Sequence, residues 1–203
     1  MNGIRKLYLA HCERYYKSYP RIRAFFSKKG ALTALKIISK LSTGILYTAY
    51  IIGAVIFLLV LLMVFPQSIQ KSVTVLLFFF AAPFMTFAVT TAVRSGINAM
   101  RPYERYDDLV PLIPKSTRGR SCPSRHTACA FAVAFAYIFT FSSDISAAVI
   151  IVCAVLLLIA VIIAVSRPLA GVHFPLDVVF GAVIAVICFG VALAVYTISV
   201  SIL

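Results

Sequence analysis

Four stretches of this sequence contain no Asp, Glu, Lys, Arg or His, and no other feature restricts its fold as strongly. They cover residues 44–65, 72–93, 145–165 and 178–203. Each is long enough for an α-helix to cross about 30 Å of hydrocarbon. A fifth apolar stretch, 127–141, is shorter, but a helix continued over 124–143 would also span. The sequence therefore predicts an all-α integral membrane protein built as a bundle of five transmembrane helices.

The composition excludes a soluble domain. Hydrophobic residues make up 62% of the 203 residues and charged residues only 12%, which is more apolar surface than a soluble chain of this length buries. The five cysteines have neither metal-site spacing nor a disulfide framework, so we interpret them as buried thiols. The net charge of +13 is better explained by membrane topology and anionic lipid than by nucleic acid. We expect membrane lipids as partners and no nucleic acid.

Basic residues are concentrated near the N-terminus. Residues 1–42 carry ten of the nineteen Lys and Arg residues and lack the early apolar core of a cleavable signal peptide. Over 4–29, apolar and basic residues are mixed, which is typical of helices that lie on a membrane surface. We predict a basic amphipathic membrane-surface segment over 1–42, formed as one or two short helices, and a transmembrane domain over 43–203. A disordered basic tail is the alternative for the N-terminal segment.

The distribution of charge predicts the orientation of the bundle. With five spans, the N-terminal segment and the loops 94–125 and 166–175 lie on one face, where they carry eighteen of the nineteen Lys and Arg residues. The opposite face holds Lys71 and Asp144. The positive-inside rule then places the polar loops in the cytoplasm. We expect a multi-pass protein of the cell membrane whose functional loops face the cytoplasm.

Three polar clusters border the apolar stretches on that face, within the loops 94–126 and 166–177. Ionisable groups beside a bilayer are costly to keep, so a functional site is the first hypothesis for such clusters. Their chemistry-bearing side chains are Arg94, Arg101, Ser124, Arg125, His126, Arg167, His173 and Asp177.

These side-chain types suit the transfer of a phosphoryl group. Guanidinium groups offer planar forks of donors to phosphate oxygens, and helix N-termini add backbone N–H groups. Of two histidines, one would attack phosphorus while the other protonates the departing oxygen. His173 and Asp177 are four residues apart, so on a helix they would share one face, where the carboxylate can accept the imidazole N–H.

The clusters resemble the signature of the type 2 phosphatidate phosphatase superfamily, which also contains vanadium haloperoxidases and glucose-6-phosphatase. That signature reads Lys-x6-Arg-Pro, Pro-Ser-Gly-His and Ser-Arg-x5-His-x3-Asp. The third cluster has every defining residue, from Ser166 to Asp177. The first has Arg94 where the family has lysine, and the second has Arg125 where the family has glycine.

The resemblance implies a role for each matching residue. His173 would be the nucleophile that forms a phosphohistidine, with Asp177 holding its ring. His126 would be the general acid for the leaving group and would later activate water. No metal ion or other cofactor is implied. The phosphoryl oxygens would be bound by Arg94, Arg101, Arg167, Ser124 and the backbone N–H of Arg125.

The side chain of Arg125 has two alternative positions. It either points away from the pocket, leaving only its backbone N–H there, or adds a fourth cation suited to a diphosphate.

A bacterial-type membrane lipid phosphatase is the function that the resemblance implies. The substrate would be a phospholipid or polyprenyl phosphate of the undecaprenyl diphosphate, phosphatidylglycerophosphate or phosphatidate type, with its tail held between helices. Two alternatives stay open: a lipid phosphotransferase that uses the same intermediate, and a non-catalytic helix bundle that binds anionic lipid. Neither the particular lipid nor the oligomeric state follows from the sequence.

Overall fold

The described part of the chain is helical apart from its connecting loops, which confirms the predicted all-α fold. The computed structural model describes residues 3–64, 69–140 and 146–202. The predicted turns at 66–71 and 142–144 lie partly or wholly outside these ranges. The helices within them are α1 (Gly3–Phe26), α2 (Lys29–Val64), α3 (Ile69–Ile97), α4 (Pro102–Arg105), α5 (Arg125–Thr140), α6 (Ala147–Leu169) and α7 (Pro175–Ile202).

Four segments are long and apolar enough to cross a membrane. They are Gly30–Ile56, Val73–Arg105, Ala147–Leu169 and Pro175–Ser201. The first starts earlier than residue 44, where the prediction placed it, because α2 is continuous from Lys29. Helix α5 has only 16 residues, fewer than the roughly 20 needed to cross the hydrocarbon core. A multi-pass membrane fold is therefore confirmed, and the count of five spans stays a prediction.

Helix α5 packs against α3, α6 and α7. Five of its alanines lie in these contacts, and each is at most 1% exposed: Ala128, Ala130, Ala132, Ala134 and Ala136. Small side chains let helix backbones approach closely, and the resulting van der Waals contacts stabilise helix association inside a bilayer. The helix that carries His126 is thus held on three sides.

The N-terminal segment is helical and not a disordered tail: it contains α1 and the first turns of α2. Its residues Cys12, Tyr15 and Tyr19 recur at helical spacing, are buried, and pack against Leu109 and Phe174. The structure places this apolar stripe on the polar loops of the protein. Tyrosine favours that position because its ring packs in an apolar contact while its hydroxyl reaches a hydrogen-bond acceptor. Leu7 and Phe25 of the same helix stay exposed. That the segment lies on a membrane surface stays a prediction.

The predicted domain boundary after residue 42 falls inside α2, which runs unbroken across it. The division into a surface segment and a membrane domain stays a prediction.

Candidate active site

The polar ends of four helices meet at one end of the bundle. Helix α3 ends beyond Arg94, α5 begins at Arg125, α6 ends beyond Arg167, and Asp177 lies in the first turn of α7. All of the sequence-predicted site residues therefore lie at this end, although they come from widely separated parts of the chain.

A glycine in α7 allows this end of the bundle to close. The Ser124 N–H donates to the backbone carbonyl of Asp177 (2.8 Å), which ties the start of α5 to the first turn of α7. A Cβ atom on Gly181 would lie 2.5 Å from the Ser124 carbonyl oxygen and 3.3 Å from Thr127 Cβ. Because a backbone atom cannot move aside cheaply, a larger residue at 181 would push the two helices apart.

His173 is buried, and one of its ring nitrogens has a fixed partner. Its Nδ1 lies 2.9 Å from the backbone carbonyl oxygen of Ser121. A carbonyl can only accept, so Nδ1 carries the proton and Nε2 keeps its lone pair. Burial lowers the pKa of His173 to about 4, so the ring is neutral near pH 7. The site thus presents a neutral imidazole with an unprotonated Nε2, which is the form that a nucleophile needs.

Asp177 supports His173 in a different way from the one that the four-residue spacing predicts. His173 precedes α7, which begins at Pro175, so the two residues do not share a helix face. Asp177 Oδ2 lies 3.6 Å from His173 Nδ1, beyond ordinary hydrogen-bond range. The same oxygen accepts from the Ser121 hydroxyl at 2.5 Å and from the Phe174 N–H at 3.0 Å. The carboxylate therefore fixes Ser121, whose carbonyl orients the ring, and places a negative charge beside the imidazole.

Arg101 is fixed by backbone carbonyls on both sides of the site. Its Nε donates to the carbonyl of Gly119 (3.1 Å) and its Nη1 to the carbonyl of Val172 (3.2 Å), next to His173. The Glu104 carboxylate accepts from the backbone N–H groups of Arg101 (2.9 Å) and Gly119 (2.8 Å). Glu104 therefore shapes the loop around Arg101 and does not neutralise its guanidinium.

Arg94 and Arg167 also donate to neutral acceptors. Arg94 Nη2 donates to the carbonyl of Arg120 (2.5 Å), and Arg167 Nη2 donates to the Thr43 hydroxyl (3.2 Å). Arg167 Nε is buried and has no hydrogen-bond partner. An unsatisfied buried donor on a guanidinium is unfavourable unless a ligand accepts from it.

No carboxylate is paired with these guanidinium groups in residues 3–64, 69–140 and 146–202. The ion pairs found there join Lys17 to Glu13 and His173 to Asp177. A cluster of permanent cations held by neutral oxygens retains its charge for an anionic ligand.

Lys115, in the loop between α4 and α5, adds a cation that sequence analysis did not identify. The residue is half-buried. Burial, followed by the charges of neighbouring arginines, lowers its pKa; those arginines are Arg101, Arg167, Arg94 and Arg125. Lys115 therefore belongs to the same positive cluster as the arginines of the signature.

Ser124 is oriented as a donor. The Thr127 hydroxyl donates to Ser124 Oγ at 3.0 Å, and both residues are fully buried. This contact leaves the Ser124 proton available for a ligand oxygen. Ser124 immediately precedes α5, whose first N–H groups have no partner within the helix.

His126, in the first turn of α5, belongs to the same cluster as His173. It is half-buried and interacts electrostatically with His173, Arg167 and Lys115. Imidazole rings from two separate elements of the bundle thus lie near one group of cations.

The Arg125 side chain lies at the rim of this cluster. Its guanidinium carbon is 5.0 Å from the centre of the Phe87 ring, in a cation–π contact. Its charge also acts on His126 and on Arg94. That the side chain contributes a fourth cation to the ligand stays a prediction.

Among the residues described, no three His, Cys, Asp or Glu side chains are gathered as they would be around a metal ion. Independence from metal ions stays a prediction that an assay must test.

Four residues that contact or join the site were missed by sequence reasoning: Ser121, Thr127, Lys115 and Tyr8, whose hydroxyl donates to Asp177 Oδ1. Ser121 and Thr127 flank the second cluster, so their proximity in sequence was a usable signal. Lys115 lies in a polar loop whose other cations are exposed, and Tyr8 lies far from every cluster. Only the folded chain brings these last two residues to the site.

Comparisons with known proteins found one matching family and similar solved structures. The sequence pattern of the PAP2 superfamily matches residues 85–200, more than half of the chain. The crystal structure of LpxE from Aquifex aeolicus is similar, with a TM-score of 0.57 and 25% sequence identity over 86% of this chain and 93% of LpxE. A transmembrane PAP2-type phosphatidylglycerolphosphate phosphatase from Bacillus subtilis has a TM-score of 0.48 and 22% identity, over 90% and 94% of the two chains. No functionally curated protein matches the sequence.

Proposed function

Because this chain belongs to the PAP2 superfamily of membrane lipid phosphatases, we propose that it hydrolyses a lipid phosphomonoester or diphosphate through a phosphohistidine, without a metal ion. One observation carries the proposal. A buried, neutral His173 lies beside a cluster of guanidinium groups that no described carboxylate neutralises. A nucleophile next to an anion site is the arrangement that phosphoryl transfer requires.

In the first step, His173 Nε2 bonds to phosphorus as the bond from phosphorus to the leaving oxygen breaks. Before substrate binds, His126 is neutral, because burial and the neighbouring cations lower its pKa to about 3. It takes up a proton when the anionic phosphate binds, and it passes this proton to the leaving oxygen, so the leaving group departs neutral at that atom. The phosphorylated ring keeps its Nδ1 proton and becomes positively charged. Asp177 and the Ser121 carbonyl stabilise that charge, and the arginines bind the phosphoryl oxygens.

In the second step, water replaces the enzyme on phosphorus. His126, now neutral, removes a proton from water as the water oxygen attacks. The bond between phosphorus and nitrogen breaks, and its electron pair returns to His173 Nε2. Inorganic phosphate leaves, and His126 releases the proton that it took from water, which returns the ring to its neutral form for the next cycle.

An apolar groove gives the lipid tail a place next to these cations. It has a volume of about 640 Å³ and lies between α2, α3 and α5. Its lining includes Phe87, which stacks under Arg125, and Tyr47, on which the charges of Arg125 and Arg167 act. A lipid with its chain in the groove would therefore present its phosphate to the cation cluster.

We expect phosphate release from at least one member of a panel of lipid phosphates in detergent, at a rate that EDTA does not change. The panel contains phosphatidate, phosphatidylglycerophosphate and undecaprenyl diphosphate. Chelation has no effect in the proposed mechanism because guanidinium groups neutralise the phosphoryl charge. A rate that falls with EDTA and recovers with Mg²⁺ would contradict the mechanism.

The same assay in sealed vesicles tests the orientation that the charge distribution predicts. We propose that the active site faces the cytoplasm. Inverted vesicles should then hydrolyse added substrate without detergent, whereas right-side-out vesicles should need permeabilisation. The reverse pattern would place the site on the outer face.

Ala81→Trp is expected to raise KM about tenfold for a long-chain lipid phosphate. Ala81 lines the groove, and an indole there fills space that the tail would occupy, so the tail loses its packing contacts with the groove walls. Hydrolysis of a soluble short-chain phosphate should stay unchanged. Val186→Trp, on the exposed surface of α7, is the matched control. If Ala81→Trp changes KM for both substrates equally, or for neither, the lipid tail does not bind in this groove.

A further inference from the structure

Helix α1 reaches the carboxylate of Asp177. The Tyr8 hydroxyl donates to Asp177 Oδ1 at 2.8 Å, across 169 positions of sequence. Tyr8 lies outside residues 85–200, which match the family pattern. The contact therefore belongs to a part of this chain that the family signature does not include.

Three further contacts hold α1 in place beside the site. The Tyr15 hydroxyl donates to the carbonyl of Pro168 (2.6 Å), one residue after Arg167. The rings of Tyr8 and Tyr15 make edge contacts with Phe174, with centroids 6.2 and 5.6 Å apart. Because Phe174 directly follows His173, α1 packs on the loop that carries the nucleophile.

The hydrogen bond from Tyr8 completes the coordination of the Asp177 carboxylate. Oδ2 accepts from Ser121 and Phe174, while Tyr8 is the donor to Oδ1. Burial, and then the negative charge of Asp177, raises the pKa of Tyr8 above its usual range. The hydroxyl therefore stays protonated and acts as a donor. With both oxygens engaged, the carboxylate cannot rotate about its bond to Cβ.

We infer that Tyr8 is a positioning residue for the phosphatase reaction, acting through Asp177 on Ser121 and His173. The inference rests on the proposed roles of His173 and Asp177. Loss of the hydroxyl removes the donor to Oδ1 and leaves the weaker Cys122 thiol as the neighbouring donor, and the carboxylate then turns towards it. That rotation weakens its hold on Ser121 and moves its charge away from the imidazole that becomes positive during phosphoryl transfer.

Tyr8→Phe should lower kcat about tenfold and leave KM nearly unchanged, because Tyr8 acts on His173 through a hydrogen bond to the charged Asp177 and the arginines that bind the phosphate are unchanged. The rate of phosphohistidine formation in a single turnover should fall by the same factor. The phenyl ring keeps its contact with Phe174, so the helix should remain docked.

Cys12 reports whether α1 stays docked. The residue is 0% exposed in the contact between α1 and the loops, so its alkylation should stay as slow in Tyr8→Phe as in the unmodified protein. If the variant loses activity and Cys12 becomes reactive, the hydroxyl only anchors the helix and the positioning role is wrong.

Tyr16→Phe is the matched control. It too is a tyrosine of α1 that donates to a carboxylate, Asp108, at 2.6 Å, but that pair is exposed and remote from Asp177. Tyr15→Phe removes an anchoring bond to a backbone carbonyl without touching Asp177. Both variants should retain kcat. The inference is overturned if either loses as much as Tyr8→Phe, or if Tyr8→Phe matches the active unmodified protein. An unmodified protein without phosphatase activity would instead overturn the proposed function.

Discussion

His173→Asn is expected to reduce kcat for lipid phosphate hydrolysis by at least about 10⁴-fold, because the variant has no nitrogen that can form the covalent intermediate. Asparagine keeps a polar group near the Ser121 carbonyl and preserves the buried volume better than alanine. Binding of the lipid phosphate should persist, since the guanidinium groups that hold its oxygens are unchanged. The measurements are phosphate release and substrate binding by the purified variant.

His11→Asn is the control for this experiment. His11 lies on α1 without a hydrogen bond or an ion pair to any described residue, and its replacement should leave turnover unchanged. Turnover by His173→Asn within tenfold of the unmodified protein would exclude a phosphohistidine on His173. If the unmodified protein, His173→Asn and His11→Asn all bind lipid phosphate equally well and none hydrolyses it, the protein is the non-catalytic lipid-binding bundle instead.

The positions of the membrane helices could be predicted from the sequence because one property, the absence of charge, decides them. Uncharged stretches of more than 20 residues have no stable position in water, so α3, α6 and α7 lie where the sequence places them. Helix α5 was harder to predict. Its alanines are individually only weakly apolar, and its environment is set by close packing with three neighbours, which no local pattern records.

The site residues could be proposed from the sequence because three clusters resemble the signature of a known family. The clusters that contain Arg101, His173 and Asp177 are separated in sequence by α5 and α6, and the ends of these helices meet at one end of the bundle. The contact between Asp177 and His173 was nevertheless different from the one expected. The i, i+4 spacing assumes a continuous helix, whereas Pro175 starts α7 after His173, so the ring is oriented by the Ser121 carbonyl.

The docking of α1 could not be predicted because its pattern fits two environments equally well. A helix with tyrosines on one side and basic residues on the other suits a membrane surface and a protein surface alike. The structure favours the protein because Tyr8, Tyr15 and Tyr16 each find an acceptor there. Those acceptors lie more than 90 positions away in sequence, and only the assembled bundle gathers them.

In the proposed mechanism His126 acts in both steps: it protonates the leaving group when the phosphohistidine forms, and it activates water when the phosphohistidine is hydrolysed. With a natural lipid alcohol as leaving group, His126→Asn should slow both steps, by roughly 10²- to 10⁴-fold. With p-nitrophenyl phosphate, whose leaving group needs no proton, only the second step depends on His126. The variant should then form the intermediate and fail to hydrolyse it.

We therefore expect His126→Asn to accumulate a phosphoryl label on His173 when it is treated with radiolabelled p-nitrophenyl phosphate. The label should survive alkaline denaturation and be lost in acid, and it should be mapped to the peptide that contains His173. The double variant His126→Asn, His173→Asn should remain unlabelled. A single variant that carries no label while still releasing p-nitrophenol would show that water attacks phosphorus directly, and His126 would then serve a single-step hydrolysis.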